Sequence, residues 1–247
     1  MLLQKAIEAY LRRNNHTQIQ LKTILFDMDG VLYDSMPGHA YAWHETMKEM
    51  GITSTPDEFY LYEGQTGRAT ISQLFLREKQ RPSTTEENET IYARKTHHFT
   101  AFGKAPIMIG ASEVLAMTKA QNLTPILVTG SGQASLIEKL QNNFPDTFHT
   151  NNMVTAYDVL HGKPHPEPYL KGLSKTGAKP FEAIVVENAP LGVRAASAAG
   201  IFTVAVNTGP LSKELLYQEG ADIVFDSMLE LSLAFDSLLT LLKKTRS

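Results

Sequence analysis

Short apolar runs alternate along this chain with amphipathic segments of helical length. β-Branched and aromatic runs bounded by turn residues predict buried strands at five places: 23–27, 125–129, 183–187, 202–206 and 222–225. Apolar residues at helical spacing predict helices among them, at about 111–121, 132–142, 166–176 and 190–199. Strands that alternate with helices predict parallel βαβ units, and therefore an α/β fold with a doubly wound parallel sheet.

One long segment interrupts this alternation. Residues 37–104 contain no strand-like run but several amphipathic helical windows, such as 69–76, and turn residues flank the segment on both sides. We therefore predict an α-helical cap over 37–104, inserted into a core made of residues 1–36 and 105–247.

The first residues of the core form a separate feature. Apolar side chains at helical spacing predict a helix over residues 2–14, within an N-terminal extension of residues 1–20. We expect this helix to pack on the body of the protein rather than to anchor it to a membrane.

Composition excludes several classes of protein. Of 247 residues, 43% are apolar and 20% are charged, and 23 Lys and Arg against 26 Asp and Glu leave a net charge of −3. This balance argues against a basic nucleic-acid surface, and the absence of cysteine excludes disulfides, thiol nucleophiles and Cys-based metal sites. No apolar run approaches the roughly 18 residues that span a bilayer, and no signal-peptide core is present. We expect a soluble, cytoplasmic, monomeric protein with no nucleic-acid or membrane partner.

Polar residues follow the predicted strands in a coherent order. Because ligands of a doubly wound sheet bind beyond the carboxyl ends of its strands, we expect these side chains to gather at one edge. Asp27 and Asp29, two positions apart, can project to the same side. The groups, in chain order, are Asp27 with Asp29, then Thr129 with Gly130 and Ser131, then Lys163, and finally Glu187 with Asn188.

This set of side chains predicts phosphoryl transfer. One carboxylate of the pair can attack phosphorus while its neighbour gives and takes a proton. A hydroxyl, backbone amides and Lys163 can surround the equatorial oxygens. Oxygen donors without His or Cys favour Mg²⁺, and without a cation each close phosphate–carboxylate pair would cost roughly 4 kcal/mol. Each group alone also fits a turn, a helix cap or a surface charge; their joint order favours the site.

The motifs Asp-x-Asp-Gly-Val, Thr-Gly-Ser, Gly-Lys-Pro and Glu-Asn resemble those of the haloacid dehalogenase (HAD) phosphotransferase superfamily. The resemblance runs from about residue 22 onward and implies a Rossmann-like core, an aspartyl-phosphate intermediate and Mg²⁺. It implies that Asp27 is the nucleophile and that Asp29 is the acid/base, whose carbonyl also binds the metal. The other implied roles are phosphoryl binding by Thr129 and Lys163 and metal binding by Glu187 and Asn188.

The helical insert resembles the small cap of the β-phosphoglucomutase-like branch. Mutases of this branch carry lysine where Gly64 stands and an acidic residue where Asn188 stands. The pattern Glu63-Gly64-Gln65-Thr66-Gly67 instead resembles HAD-type inorganic pyrophosphatases, in which a cap glutamate reaches the magnesium. This implies that Glu63 supplies the charge missing at Asn188 and that a tight lid admits only a small substrate such as pyrophosphate.

The same resemblance implies substrate contacts by His39, Arg68 and Lys95 on the cap side. Before the resemblance is considered, Glu63 also fits an ordinary solvated carboxylate beside a Gly-rich turn. His39 also fits a surface position in the first turn of a helix, and Lys95 a solvated basic face. We predict a Mg²⁺-dependent hydrolase that acts through an aspartyl phosphate, with inorganic pyrophosphatase as the leading activity. The alternatives are a β-phosphoglucomutase, a small sugar-phosphate phosphatase, or, from another class, a catalytically silent phosphate-binding regulator.

Overall fold

The computed structural model describes residues 2–103, 105–132 and 134–243, and its centre is a six-stranded parallel sheet. The strands are β1 (Thr23–Phe26), β2 (Thr124–Val128), β3 (Met153–Val154), β4 (Ala183–Glu187), β5 (Phe202–Val206) and β6 (Ile223–Phe225). The helices are α1 (Leu2–Arg13), α2 (Met36–Glu49), α3 (Glu58–Leu61), α4 (Gly67–Lys79), α5 (Thr85–Phe102), α6 (Ala111–Ala120), α7 (Ala134–Asn143), α8 (Glu167–Thr176), α9 (Pro190–Ala198), α10 (Lys213–Gln218) and α11 (Met228–Lys243).

The sheet order places β1 at the centre of the fold. The order is β3-β2-β1-β4-β5-β6, and Phe26 of β1 pairs in parallel register with Leu127 of β2 and Val186 of β4. The chain leaves β1 toward β2 on one side and later returns to β4 on the other. The carboxyl end of β1 is therefore the topological switch point, where ligands of such sheets bind. The predicted doubly wound parallel sheet is confirmed.

Alternation of side chains along β1 explains why helices cover both faces of the sheet. Ile24 and Phe26 pack into one apolar layer, whereas Leu25 packs into the layer on the opposite face. Of the predicted elements, the strands at 183–187 and 202–206 have the observed bounds, and the others differ by one or two residues. Gln133, within the helix predicted at 132–142, lies outside the described residues.

Four helices, α2 to α5, follow β1 and precede α6 and β2. They enclose an apolar cluster of their own that includes Trp43, Phe59 and Phe75. Local sequence determines where they begin: the Thr66 side chain caps α4, and a capping box opens α5. The division into a core and a cap stays a prediction. The boundary residue Lys104 and the ends of the predicted core, Met1 and 244–247, lie outside the described residues.

The N-terminal helix α1 packs on the core, as predicted. The edge of the Tyr10 ring meets the Phe202 ring at a centroid distance of 5.4 Å, and the Tyr10 hydroxyl donates to the Gly200 carbonyl over 2.9 Å. Arg13, in the last turn, pairs with Asp222 at 2.9 Å. Over the described part of the chain, no helix is both long and apolar enough to cross a bilayer.

Candidate active site

Lys163 connects the ends of three neighbouring strands. Its ammonium donates to Asp27 Oδ1 over 2.5 Å, to Glu187 Oε1 over 2.7 Å and to the Val128 carbonyl over 3.1 Å. The side chain is fully buried, so these contacts replace its water shell. Burial opposes the charged form, but the two carboxylates outweigh it and raise the pKa of Lys163 well above its ordinary value. Lys163 is therefore a fixed positive charge beneath the site.

The surroundings disfavour the charged form of Asp27, in contrast to that of Lys163. Burial, with Glu187 and Asp29 close by, raises the pKa of Asp27 to about 8, although Lys163 opposes the shift. A carboxylate attacks phosphorus only in its ionised form, so a further positive charge beside Asp27 would favour the reactive state.

Glu187 has all of its bonding capacity occupied by protein donors. Its Oε1 also accepts from the Tyr169 hydroxyl at 3.1 Å, and its Oε2 accepts from the backbone N–H groups of Asn188 at 2.6 Å and Ala189 at 2.8 Å. In this arrangement Glu187 positions Lys163 and the loop after β4. Direct ligation of a metal by Glu187, which stays a prediction, would require one of these donors to leave.

A series of hydrogen-bonded side chains runs from the cap to Asp29. The Ser35 hydroxyl donates to Asp29 Oδ1 over 2.6 Å, and His39 Nε2 lies 3.0 Å from the same oxygen. Lys95 Nζ lies 2.7 Å from His39 Nδ1. Asp29 is ionised and can only accept, so His39 Nε2–H donates to it, and Nδ1 of the neutral ring accepts from Lys95.

These contacts determine the ionisation states of Asp29 and Lys95. Burial acts to raise the pKa of Asp29, but the neighbouring His39 and the hydrogen bonds from His39 and Ser35 lower it. Burial lowers the pKa of Lys95 to about 7, against the attraction of Asp29. Asp29 is thus held as a carboxylate with one oxygen fixed in direction, as an acid/base group requires.

Glu63 reaches from the cap to the core. Its Oε1 accepts from Asn188 Nδ2 over 2.7 Å, and burial, with Asp27 and Glu187 nearby, raises its pKa well above the ordinary value despite that hydrogen bond. The alternative of solvated surface positions is wrong for Glu63, His39 and Lys95, which are 8%, 6% and 2% exposed. His39 on α2, Lys95 on α5 and Glu63 in the turn between α3 and α4 all face inward, because the cap covers the strand ends.

A half-open cavity of about 60 Å³ lies beneath the cap, above Asp27 and Asp29. Its lining contains most of the predicted contacts: Asp27, Asp29, His39, Glu63, Lys95, Gly130 and Ser131. Thr129 is buried beside it and accepts from the Ser131 N–H at 3.0 Å. Arg68 is not in this lining. It is exposed and lines a separate outer groove of about 440 Å³, because it lies in the first turn of α4 on the face directed away from the cavity.

The donor set fits Mg²⁺. Asn188 Oδ1 is buried and has no hydrogen-bond partner among the described residues, which is the state expected of an oxygen that ligates an absent cation. The His, Cys, Asp and Glu side chains of the described residues form no group of three or more with metal-binding geometry. An ion here would therefore use Asp27, the Asn188 oxygen, a backbone carbonyl and water, a set that suits magnesium.

Three residues of the site escaped the sequence analysis. Tyr92 lines the cavity and hydrogen-bonds to the Gly132 backbone and the Ser131 side chain. Its spacing of three residues from Lys95 places both on one face of α5, a signal that could have identified it. Ser35 follows the first motif directly. Tyr169, within the apolar stripe of α8, had no distinguishing signal.

Comparison with known proteins identifies the family. The model of the haloacid dehalogenase-like hydrolases matches residues 24–206, a span that contains all four strand-end motifs. The chain belongs to this family. It is accordingly an enzyme of the HAD phosphohydrolase and phosphomutase class, with relatives of both kinds.

Three similar proteins illustrate the range of activities among the relatives. Hexitol phosphatase A of Escherichia coli (strain K12) is 30% identical over 192 residues, 76% of this chain and 84% of that protein. Beta-phosphoglucomutase of Bacillus subtilis (strain 168) is 23% identical over 218 residues, 85% and 95% of the two chains. A solved structure from Bacteroides vulgatus is provisionally described as a beta-phosphoglucomutase. It has a TM-score of 0.95 at 50% identity, and the match covers 98% of this chain and 99% of that one. None of these three is named a pyrophosphatase.

Proposed function

We propose that this protein hydrolyses inorganic pyrophosphate in a Mg²⁺-dependent reaction that passes through a phosphoryl group on Asp27. The observation that carries the proposal is the buried contact between Glu63 and Asn188, at 2.7 Å, over a cavity of only about 60 Å³. A chamber of this size with a carboxylate in its roof suits a small inorganic anion better than a sugar phosphate. The cytoplasmic location and the monomeric state predicted from the sequence are part of the same proposal.

In the first half of the reaction, an Asp27 oxygen attacks one phosphorus atom, and the bond from that phosphorus to the bridging oxygen breaks. Asp29 takes up a proton on its free oxygen as the anionic substrate binds and then gives that proton to the departing phosphate, while the Ser35 and His39 contacts hold its carboxyl group in place. Lys163 and Thr129, with the backbone amides of residues 130 and 131, would hold the equatorial oxygens of the transferred group.

In the second half, water attacks the aspartyl phosphate. Asp29 takes the proton from this water, phosphate leaves, and the carboxylate of Asp27 is regenerated. Asp27, the Asp29 carbonyl and Asn188 Oδ1 would hold magnesium, which would supply positive charge to offset the repulsion between substrate and carboxylates. Glu63 would add a negative charge to that site in place of the missing acid at position 188.

A second candidate is hydrolysis or isomerisation of a sugar phosphate. It is favoured by relatives named hexitol phosphatase and beta-phosphoglucomutase. Such a substrate would require the cap to stand further from the core than it does here.

The deciding experiment compares three substrates under equal Mg²⁺ concentrations. We expect phosphate release from pyrophosphate to exceed that from glucose 6-phosphate, and mutase turnover of β-glucose 1-phosphate to be slow. Turnover of the sugar phosphates with inert pyrophosphate would overturn the proposal. Asp27→Asn is the matched control: it should still bind phosphate but release none, and acid quenching should trap radiolabel on the wild-type chain alone. Phosphate binding without turnover of any substrate would indicate the regulator instead.

A further inference from the structure

A four-residue segment of the cap, residues 63–66, contacts the core at every position, and we call it the closing loop. Glu63 accepts from Asn188 after β4, as described. Gly64 lies over Lys163, and a methyl group placed on Gly64 would be 3.1 Å from the lysine Cδ. Its neighbours meet two further loops of the core, and in both places the core residue is a glycine.

The first of these is Gly130, in the loop after β2. A methyl group on Gly130 would lie 2.3 Å from the Gly64 carbonyl oxygen and 2.9 Å from that of Gln65. Both obstacles are backbone atoms, so no side-chain rotation can relieve the overlap. The closing loop itself would have to rise.

The second is Gly162, which precedes Lys163. A methyl group there would lie 2.8 Å from Cγ2 of Thr66. Neither Gly130 nor Gly162 has a left-handed φ, so alanine suits the backbone conformation of each. The two overlaps therefore exist only while the closing loop is down on the core.

We propose that Gly130 and Gly162 are specificity-determining residues: by lacking side chains they set how deeply the closing loop descends, and so limit the leaving group to one as small as phosphate. The inference rests on the proposed function, because pyrophosphate is the substrate that the fully closed cavity would favour. The roles of these glycines are steric and differ from the anion binding expected of the amide of residue 130.

Raising the closing loop has two opposite consequences. It separates Glu63 from Asn188 and enlarges the cavity of about 60 Å³, since residues 63–65 form part of its roof. Pyrophosphate then loses a closely fitted site, whereas a bulkier phosphate ester gains room. A change in substrate preference is therefore expected, rather than a uniform loss of activity.

The experiment uses the full chain and four variants. Gly130→Ala and Gly162→Ala should each lower kcat/KM for pyrophosphate by about tenfold or more, as expected for overpacking. The ratio of kcat/KM for glucose 6-phosphate to that for pyrophosphate should rise in both. Gly209→Ala is the matched control, because its methyl group would face the ring of Tyr60, a cap side chain that can tilt, at 3.2 Å. Its substrate ratio should equal that of the wild type.

A double variant distinguishes an effect on the closing loop from a displacement of Lys163, the residue that follows Gly162. Thr66→Ser removes the methyl group that opposes Gly162→Ala but keeps the hydroxyl that caps α4. Gly162→Ala/Thr66→Ser should therefore recover most of the pyrophosphate activity. Acrylamide quenching of Trp43, the single tryptophan and part of the cavity lining, is a readout that does not depend on turnover. Quenching should increase in both Gly130→Ala and Gly162→Ala, and it should return to the wild-type level when Thr66→Ser is added to Gly162→Ala.

The outcomes distinguish the two proposals. If the wild type does not hydrolyse pyrophosphate, the proposed function fails whatever the glycine variants do. If the wild type hydrolyses pyrophosphate but neither alanine variant changes the substrate ratio, or Thr66→Ser fails to rescue Gly162→Ala, the closing-loop inference is overturned and the proposed function stands.

Discussion

Asn188 Nδ2 donates a 2.7 Å hydrogen bond to the Glu63 carboxylate, and this contact joins the end of β4 to the cap. It brings a third carboxylate toward Asp27 and Glu187, which together with burial raises the pKa of Glu63. The contact thus places carboxyl groups that repel one another when ionised around Asn188 Oδ1, which has no hydrogen-bond partner in the part of the chain that the structure describes. A divalent cation at that oxygen would convert this repulsion into attraction.

Removal of the Glu63 carboxylate should show how far activity depends on a divalent cation at this position. We expect Glu63→Ala to lower kcat/KM for pyrophosphate by about tenfold or more and to raise the Mg²⁺ concentration needed for half-maximal rate, because a charged oxygen is lost. Steady-state rates across a magnesium titration measure both effects. Glu89→Ala, at an exposed position on α5, is the control and should behave as the wild type. A normal magnesium requirement in Glu63→Ala would show that the cap carboxylate is not part of the metal site.

Asn188→Asp tests whether positions 63 and 188 share one charge requirement. In the Glu63→Ala background it should restore part of the lost activity, since it returns a negative charge beside the ion. In the wild-type background it should give little benefit. A double-mutant cycle on kcat/KM measures the coupling, and additive effects would count against compensation between the two residues.

The hydrogen bond from Ser35 to Asp29 should matter for catalysis more than for binding. Ser35 is absent from the cavity lining and reaches the site through its 2.6 Å hydrogen bond to Asp29. We expect Ser35→Ala to lower kcat by about tenfold with little change in KM. Loss of a donor that lowers the pKa of Asp29 should also move the acidic limb of the kcat profile to higher pH. An unshifted profile, or an effect on KM alone, would refute this role.

Lys163 should contribute to stability as well as catalysis. Lys163→Met leaves Asp27 and Glu187 buried without their shared cation, and we expect a loss of about 3 kcal/mol in the free energy of unfolding. Adding Glu187→Gln removes one of the two charges and should recover a large part of this loss, yet turnover should stay absent. Denaturant unfolding of both variants checks the prediction, and equal stability of the single and double variants would contradict it.

The pair between Arg13 and Asp222 should stabilise the attachment of α1 in a pH-dependent manner. The Asp222 side chain is 2% exposed and burial raises its pKa, whereas Arg13 is 47% exposed, so its contribution is partly screened. We expect Arg13→Ala to cost about 1 kcal/mol at pH 7.

The sign of the pH effect follows from the raised pKa of Asp222. As pH falls toward 4, Asp222 takes up its proton in the folded protein and no longer needs a cation, so the difference from the wild type should vanish. Urea unfolding at both pH values measures this. Arg12→Ala, an exposed neighbour in the same helix, is the control. A difference that persists unchanged at low pH would mean that the arginine acts through packing instead.

Several elements of the fold could be predicted from the sequence because they depend on residues close together in the chain. The runs at 183–187 and 202–206 have strand composition over their whole length, and both form strands with the predicted bounds. The strand β3 was missed, since its two residues are too few to show any periodicity. The helix predicted over 2–14 is present because its apolar stripe repeats through several turns.

By itself, the sequence determined the parallel sheet, the insertion of helices after β1 and the identity of the acids, hydroxyl, lysine and amide at the strand ends. These follow from periodicity and from the order of short motifs, which depend on neighbours in the chain. Only the tertiary structure decided that Lys163 pairs with both Asp27 and Glu187, that Ser35 and His39 orient Asp29, and that Arg68 lies outside the cavity. Those outcomes depend on distances between loops far apart in sequence, and on how closely backbone atoms can approach where glycine replaces a side chain.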